Sequence, residues 1–314
     1  MCTSSSLARI ADAVVSAAVL PQSPAADVRD LVQLGREHPG FQDAEYRARR
    51  DLIAQIALRH SSGQPVPEAP YTQQEHDVWR DILQLLRPEH EKHVCEPILA
   101  MQRRFPLPRY GIPQLAFVNA RLTPRSGMRM EPVMGLVNVR TFLSHLSSGV
   151  FLSTQYIRHH SRPLYTPEPD IVHELIGHMA PLSHPGIAEA NRWMGRAAVT
   201  ATETELQRLE HVYWYVLEFG LLEEGGELKA LGAGLLSSAG ELAAIEDGPV
   251  LRGWDLDVIA ATPYDPTCMQ PHLFVAPSFA RLLDDVVEWV RRGAWRDRGG
   301  ALADQAALVY QSSP

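Results

Sequence analysis

Pro169-Asp170-Ile171-Val172-His173-Glu174-Leu175-Ile176-Gly177-His178 is the stretch on which the reading of this chain turns. Its apolar residues recur at helical spacing, and its two histidines lie five positions apart. In the helix of a zinc protease the two histidines sit at i and i+4 on one face. At i+5 the second is rotated by about 500°, roughly 140° from the first. One ion can then bind both only if the helix ends or bends between them. Gly177, immediately before His178, is the residue type that lets a helix terminate and re-aim the next side chain. The spacing argues against a HExxH hydrolase with Glu174 as general base, and it permits another kind of metal site.

Two neutral imidazoles and one carboxylate leave positions open on ferrous iron for oxygen and substrate, so the third donor is expected to be an acid. Glu218 is the candidate. It stands in an apolar and aromatic run, Val212-Tyr213-Trp214-Tyr215-Val216-Leu217-Glu218-Phe219, where a bare carboxylate is costly to bury. Spacing alone leaves a bland alternative equally open, with two satisfied core histidines and a Glu218 paired with an arginine.

Working outward, the 314 residues are 45% apolar and 21% charged, as in an ordinary globular protein, and one large domain is expected. A net charge of −8 lacks the basic excess that nucleic-acid binding needs. Three cysteines, Cys2, Cys95 and Cys268, suggest neither a disulfide framework nor a zinc ribbon, and a cytoplasmic location fits them. Asp12 interrupts the apolar start of the chain, and no apolar run is long enough to span a membrane.

Residues 1–28 read as an N-terminal arm, 29–292 as the catalytic domain, and 293–314 as a C-terminal tail with one weak helical segment. The body begins near Asp43. Helical periodicity covers 43–60 and 72–104, whereas 105–125, rich in Pro and Gly, reads as irregular. The small β component is expected just after that stretch. From Pro169 onward the pattern is helical again, through 203–221, 228–246 and 279–293. The expected fold is mainly α.

The chain closely resembles the pterin-dependent aromatic amino acid hydroxylases. The likeness runs collinearly through GLVNVRTFL (135–143), STQYIRHHSRPLYTPEPDIVHELIGH (153–178), VYWYVLEFGL (212–221) and LKALGAGLLSSAGEL (228–242). It implies a basket-like helical domain holding Fe(II) beside a tetrahydropterin, either tetrahydrobiopterin or a bacterial analogue. It also implies that His173, His178 and Glu218 are the iron ligands, the i+5 spacing being the family's own. Its partners would be a free aromatic amino acid, O2 and reduced pterin, with no nucleic acid and no membrane, in a monomer or small homo-oligomer.

The same resemblance carries over further roles. Arg158 falls on the clamp for the substrate carboxylate and Asp170 on the acid that steadies it, which suits a planar guanidinium. Thr166 and Ser237 match positions that hold the amino-acid backbone, although Thr and Ser at such places also serve in turns and caps. Glu241 matches an acid behind them. Phe142 and Leu143 match the pterin wall, with Gly135, Leu136, Glu174 and Tyr213 around the same cofactor. Stacking on a flat heterocycle suits Phe142, though a core aromatic is its commoner role. Pro169, Trp214 and Phe219 match the surround of the substrate ring, and Tyr264 aligns more loosely beside them.

Trp214 tilts the substrate towards phenylalanine, hydroxylated at the 4-position to tyrosine. Phenylalanine 3-hydroxylation and tryptophan hydroxylation share the site and are the near alternatives. A zinc hydrolase and a catalytically inactive binding homologue are the remote ones. Leu152 departs from the pattern, standing where animal members carry a pterin-facing histidine, and HMAPL replaces the usual HVPL run. With no regulatory domain ahead of these blocks and no heptad tail behind them, a compact bacterial type without animal-like allostery is expected.

Overall fold

The computed structural model describes residue 32 and residues 34–297, apart from positions 165 and 247. The expected arm (1–28) and the tail beyond residue 297 lie outside the described residues.

Asp43 accepts a hydrogen bond from Tyr46 N and starts helix α1 (Ala44–Leu58). Thr72 and Glu75 form a reciprocal capping box at the head of α2 (Gln73–His93). The helical pattern at 72–104 is two helices, because the chain turns extended at Val94 and restarts as α3 (Glu96–Arg104) with a proline in its first turn. Proline is tolerated there, where the missing N–H has no partner anyway.

The stretch 105–125 is only half irregular. All but one of its prolines, and its glycine, lie at or before Pro113, and α4 (Leu115–Ser126) follows, burying Leu115, Val118 and Leu122 and closing on Gly127 at φ 68°. Pro124 falls near the end of that helix and does not prevent it.

β1 (Arg129–Pro132) and β2 (Val150–Ser153) pair in parallel, Arg129 opposite Val150, and α5 (Val139–Leu146) connects them. This is the β content expected after residue 125. A second sheet corrects the reading that the chain is helical from Pro169 onward. β3 (Leu221–Glu224), β4 (Glu227–Ala230), β5 (Val250–Gly253) and β6 (His272–Ala276) form a sheet in the order β4-β3-β6-β5. These strands are four or five residues long, too short for alternation to outweigh helical periodicity. One signal was readable: Gly225 and Gly226, at φ 64° and 85°, form the two-residue turn between β3 and β4.

Beside a small second cluster of Ile53, Ala69 and Tyr156, the main apolar core runs as one cluster from Val78 to Trp295. α6 (Ala180–Ser183), α7 (Pro185–Thr200) and α8 (Glu203–Val212) pack within it. α9 (Ala233–Leu236), α10 (Ala239–Ala243) and α11 (Leu256–Ala261) follow the second sheet's first hairpin and join the same core. The last helix, α12 (Phe279–Arg291), buries Leu282, Leu283, Val286, Trp289 and Val290, an apolar stripe at helical spacing.

Candidate metal centre and ring pocket

The two helices that carry the candidate donors both widen locally. His173–Met179 is a π-helical stretch inside an otherwise α-helical segment, and Tyr213–Glu218 is a π-helical stretch that closes α8. In a π turn each N–H bonds five residues back, so residues five apart stack one above the other. Phe219 N donates to Trp214 O at 2.8 Å in this manner. The expectation that the helix ends or bends at Gly177 is therefore corrected: the helix continues through Met179 into α6, and widening brings His178 over His173.

Gly177 has a different purpose. A Cβ there would lie 2.6 Å from Ala233 O, so the glycine allows the π turn to pack directly on the backbone of α9.

The three donors converge. His173 Nε2 and His178 Nε2 are 3.0 Å apart, and Glu218 reaches them at 3.4 Å through Oε2 and 3.2 Å through Oε1. For a metal–donor distance of about 2.1 Å, adjacent donors fall about 3.0 Å apart at right angles and about 3.4 Å apart in a tetrahedron. One cation fits between these groups, and two imidazoles with one carboxylate are the donor set of the facial triad.

The surroundings prepare the donors. Ser237 Oγ donates to Ala233 O at 2.8 Å, so its lone pair accepts from His173 Nδ1 at 3.0 Å and leaves Nε2 aimed at the cluster. Burial pushes the His173 imidazole down to about 4, which keeps it neutral and able to donate a lone pair. Burial raises the Glu218 carboxyl, but His178 and His173 outweigh it and hold Glu218 below its ordinary value. Burial likewise lowers His178, and the Glu218 carboxylate more than reverses that.

Glu174 is buried beside them and accepts from Thr154 N at 3.1 Å and Thr154 Oγ1 at 3.0 Å. Burial pushes its carboxyl up to about 7. Phe151, which the sequence reading passed over, lies with its ring centroid 4.5 Å from that of His178. Its place on the four-residue strand β2 offered no local signal.

Arg158 and Asp170 form a buried, two-pronged pair. Asp170 accepts Arg158 Nε at 2.9 Å, Nη2 at 2.8 Å and the Arg158 backbone N–H at 2.7 Å. It also accepts His173 N at 3.2 Å, which couples the Arg158–Asp170 pair to the first turn of the helix that carries His173. Among the described residues, the Nη1 side of the guanidinium has only a 3.4 Å contact with Pro163 O. Thr166 Oγ1 donates to Glu168 O at 2.6 Å, which is turn chemistry. Arg50, buried, bonds Glu168 at 2.8 Å and anchors that turn to α1. Pro169 O accepts from Tyr156 Oη at 2.6 Å and, 3.1 Å from Thr154 Oγ1, shares that hydroxyl's single proton with Glu174.

Two aromatic groups flank the donors. Phe142 meets Phe151 and Tyr213 edge to face at 5.3 and 5.4 Å, with Leu143 buried on the same helix. Gly135 and Leu136 lie on the loop before that helix, Leu136 largely exposed, while Leu152 is buried on β2. On the other side Trp214 stacks on Tyr264 at 4.0 Å and packs against Phe219 at 4.7 Å. Glu241 is set further back: it accepts the Gln270 backbone N–H, and burial pushes its carboxyl up to about 7.

Comparison with known proteins bears on most of the chain. Residues 28–294 match the family model described as biopterin-dependent aromatic amino acid hydroxylase. The chain is 40% identical over 264 residues to mouse tyrosine 3-monooxygenase, covering 82% of this chain and 53% of that protein. It is 43% identical over 231 residues to a chloroplastic phenylalanine 4-monooxygenase of Pinus taeda, covering 70% and 65%. The chain thus spans about half to two thirds of the length of the curated relatives it matches. A crystal structure of Chromobacterium violaceum phenylalanine hydroxylase, with bound iron(III) and 7,8-dihydrobiopterin, superposes with a TM-score of 0.69 at 27% identity, covering 77% of this chain and 91% of that one. With a family model matching most of its length and relatives at this level of identity, the chain belongs to the biopterin-dependent aromatic amino acid hydroxylases.

Proposed function

We propose that this chain is an iron(II)- and tetrahydropterin-dependent monooxygenase that hydroxylates the ring of free L-phenylalanine to give L-tyrosine. The observation that carries the reading is the convergence of His173, His178 and Glu218 at 3.0–3.4 Å, with His173 held neutral and aimed by Ser237. In this reading those three residues hold the iron. Iron and reduced pterin together would supply the activated oxygen for attack on the ring.

The chain's own residues bind, orient and exclude water. With one edge of Arg158 occupied by Asp170, its Nη1 side is left for the α-carboxylate of a free amino acid. Thr166 and Ser237 lie in reach of the remaining backbone groups, Ser237 doubling as the orienter of His173, and Glu241 backs that side of the pocket. Pro169, Trp214 and Phe219 form apolar walls for the ring and keep water from the reacting carbon. Phe142, Leu143 and Tyr213 form the pterin wall, Gly135 and Leu136 offer backbone at its edge, and Glu174, held by Thr154, faces the heterocycle. A buried Leu152 makes that side less polar than a histidine would.

The catalytic unit is residues 29–292, acting in the cytoplasm; no helix among the described residues is long and apolar enough to cross a membrane. The likeness to a bacterial phenylalanine hydroxylase over 91% of that chain supports the substrate assignment. The test is anaerobic iron loading followed by an oxygen-started assay with tetrahydrobiopterin and each aromatic amino acid separately. Tyrosine from phenylalanine is the expected product. A meta-hydroxylated product, or preferred turnover of tryptophan or tyrosine, overturns the substrate assignment, and no product from any overturns the reading.

A further inference from the structure

Trp214 is held by more than its aromatic neighbours. Its indole N–H donates to Gln270 Oε1 at 3.0 Å, and Gln270 is 5% exposed. The Gln270 amide nitrogen donates to Asp265 O and to Cys268 O, each at 3.0 Å. Both acceptors are carbonyls, so a flipped amide would set oxygen against two oxygens and nitrogen against the indole N–H. The orientation of this amide is therefore forced, and with it the direction in which the indole points.

The loop between α11 and β6 thus grips the π turn of residues 213–218 at successive positions. Tyr215 Oη donates to Pro263 O at 2.9 Å, next to the Gln270 bond made by Trp214. Tyr264 lies on the indole face at 4.0 Å and 10°, and is itself tied to Glu210 through a 2.5 Å hydrogen bond. Stacking restrains tilt of the indole out of its plane but leaves sliding within the plane free, because stacked rings have a shallow lateral energy profile. The Gln270 bond removes that freedom.

We propose that Gln270 is a positioning residue for ring hydroxylation: by locking the Trp214 indole within its plane it sets where the substrate ring sits. The inference rests on the reading of Trp214 as a wall of the ring pocket. Gln270 touches no substrate in this account; the loop carbonyls fix its amide, and its side chain acts on the pocket through the indole N–H.

The test is a double-mutant cycle in the full-length, iron-loaded chain with Gln270→Leu, Trp214→Phe and both together. Dissociation constants for L-phenylalanine are read anaerobically by calorimetry, and amino acid hydroxylated per pterin oxidised is read in turnover. Gln270→Leu is expected to raise Kd about fivefold, as the loss of one neutral hydrogen bond does, and to lower the hydroxylation yield per pterin. In the Trp214→Phe background, which has no indole N–H, the same change is expected to shift Kd less than about twofold. If Gln270→Leu does not fold, Gln270→Met, unbranched and of similar length, takes its place in the cycle. Additive effects, or a Gln270 variant with wild-type Kd and yield, overturn the proposal while leaving the hydroxylase reading intact. A wild-type chain that binds no aromatic amino acid overturns both.

Discussion

Replacing Gly177 by alanine sets two opposed effects against each other, and the structure decides the sign. Gly177 lies within a helical segment, where alanine is favoured over glycine by about 1 kcal/mol. Its Cβ, however, would stand 2.6 Å from Ala233 O, 3.0 Å from Ala233 Cβ and 3.1 Å from Ala233 C. Two of those atoms are backbone and none is the tip of a flexible side chain, so the π turn and α9 would have to separate. Overpacking of this kind costs about 1–3 kcal/mol, and the rigid partner places this case at the upper end. A net loss of about 2 kcal/mol should lower Tm by about 4–8 °C for a domain of this size.

The same separation strikes the candidate metal centre twice. His178 follows Gly177 directly, and Ser237, which orients His173 at 3.0 Å, follows α9. Thermal unfolding of metal-free and iron-loaded protein, with iron content after gel filtration, reads both consequences. The expected variant is less stable and retains less than one iron per chain. A Gly177→Ala protein as stable as the wild type, with full iron, would refute the close-packing argument and restore flexibility as the reason for this glycine.

Three other predictions follow from the geometry. Asp170→Asn strands the buried Arg158 guanidinium without its counter-charge and should lower stability by about 3–5 kcal/mol in urea unfolding; a change under about 1 kcal/mol would show that the pair is not rigidly buried. Glu241, raised to about 7 by burial, holds its proton in the folded chain where the unfolded chain has released it, so the contribution of this residue to stability should fall as pH rises from about 4.5 to 7. Glu241→Gln cannot ionise, so its Tm relative to wild type should climb as pH rises from about 4.5 to 7, and a pH-independent difference would contradict the buried-acid account. Stripping iron with a chelator should lower Tm, since iron at a hundred times its Kd contributes about 2.7 kcal/mol. His178→Ala should show no such chelator response, and a variant that still responds would exclude His178 as a ligand.

Much of the centre was legible before any fold was known. Two histidines in an apolar helical pattern and one acid in an aromatic run suggest a donor set, with core histidines and an arginine-paired Glu218 equally open until the family resemblance is added. The family resemblance then joined Arg158 to Asp170, and the structure brings both groups together at bonding distance. These features are local or lie in short blocks, where residue type carries most of the information.

What tertiary structure alone decided has a common cause, namely contact between segments remote in sequence. An i+5 spacing admits a helix end, a bend or a widened turn, and the packing of residues 173–179 on α9 selects the last. Ser237 acts on His173 across 64 positions, and Gln270 on Trp214 across 56, so no local pattern announces either bond. The four-stranded sheet escaped notice for the same reason: strands of four or five residues have too little periodicity to be read, and their stability comes from neighbours that only the folded chain supplies. The sequence by itself pointed to the candidate donors and determined the mainly helical class, whereas the convergence of those donors, and the residues that aim them, depend on backbone approaches and long-range pairings that exist only in the fold.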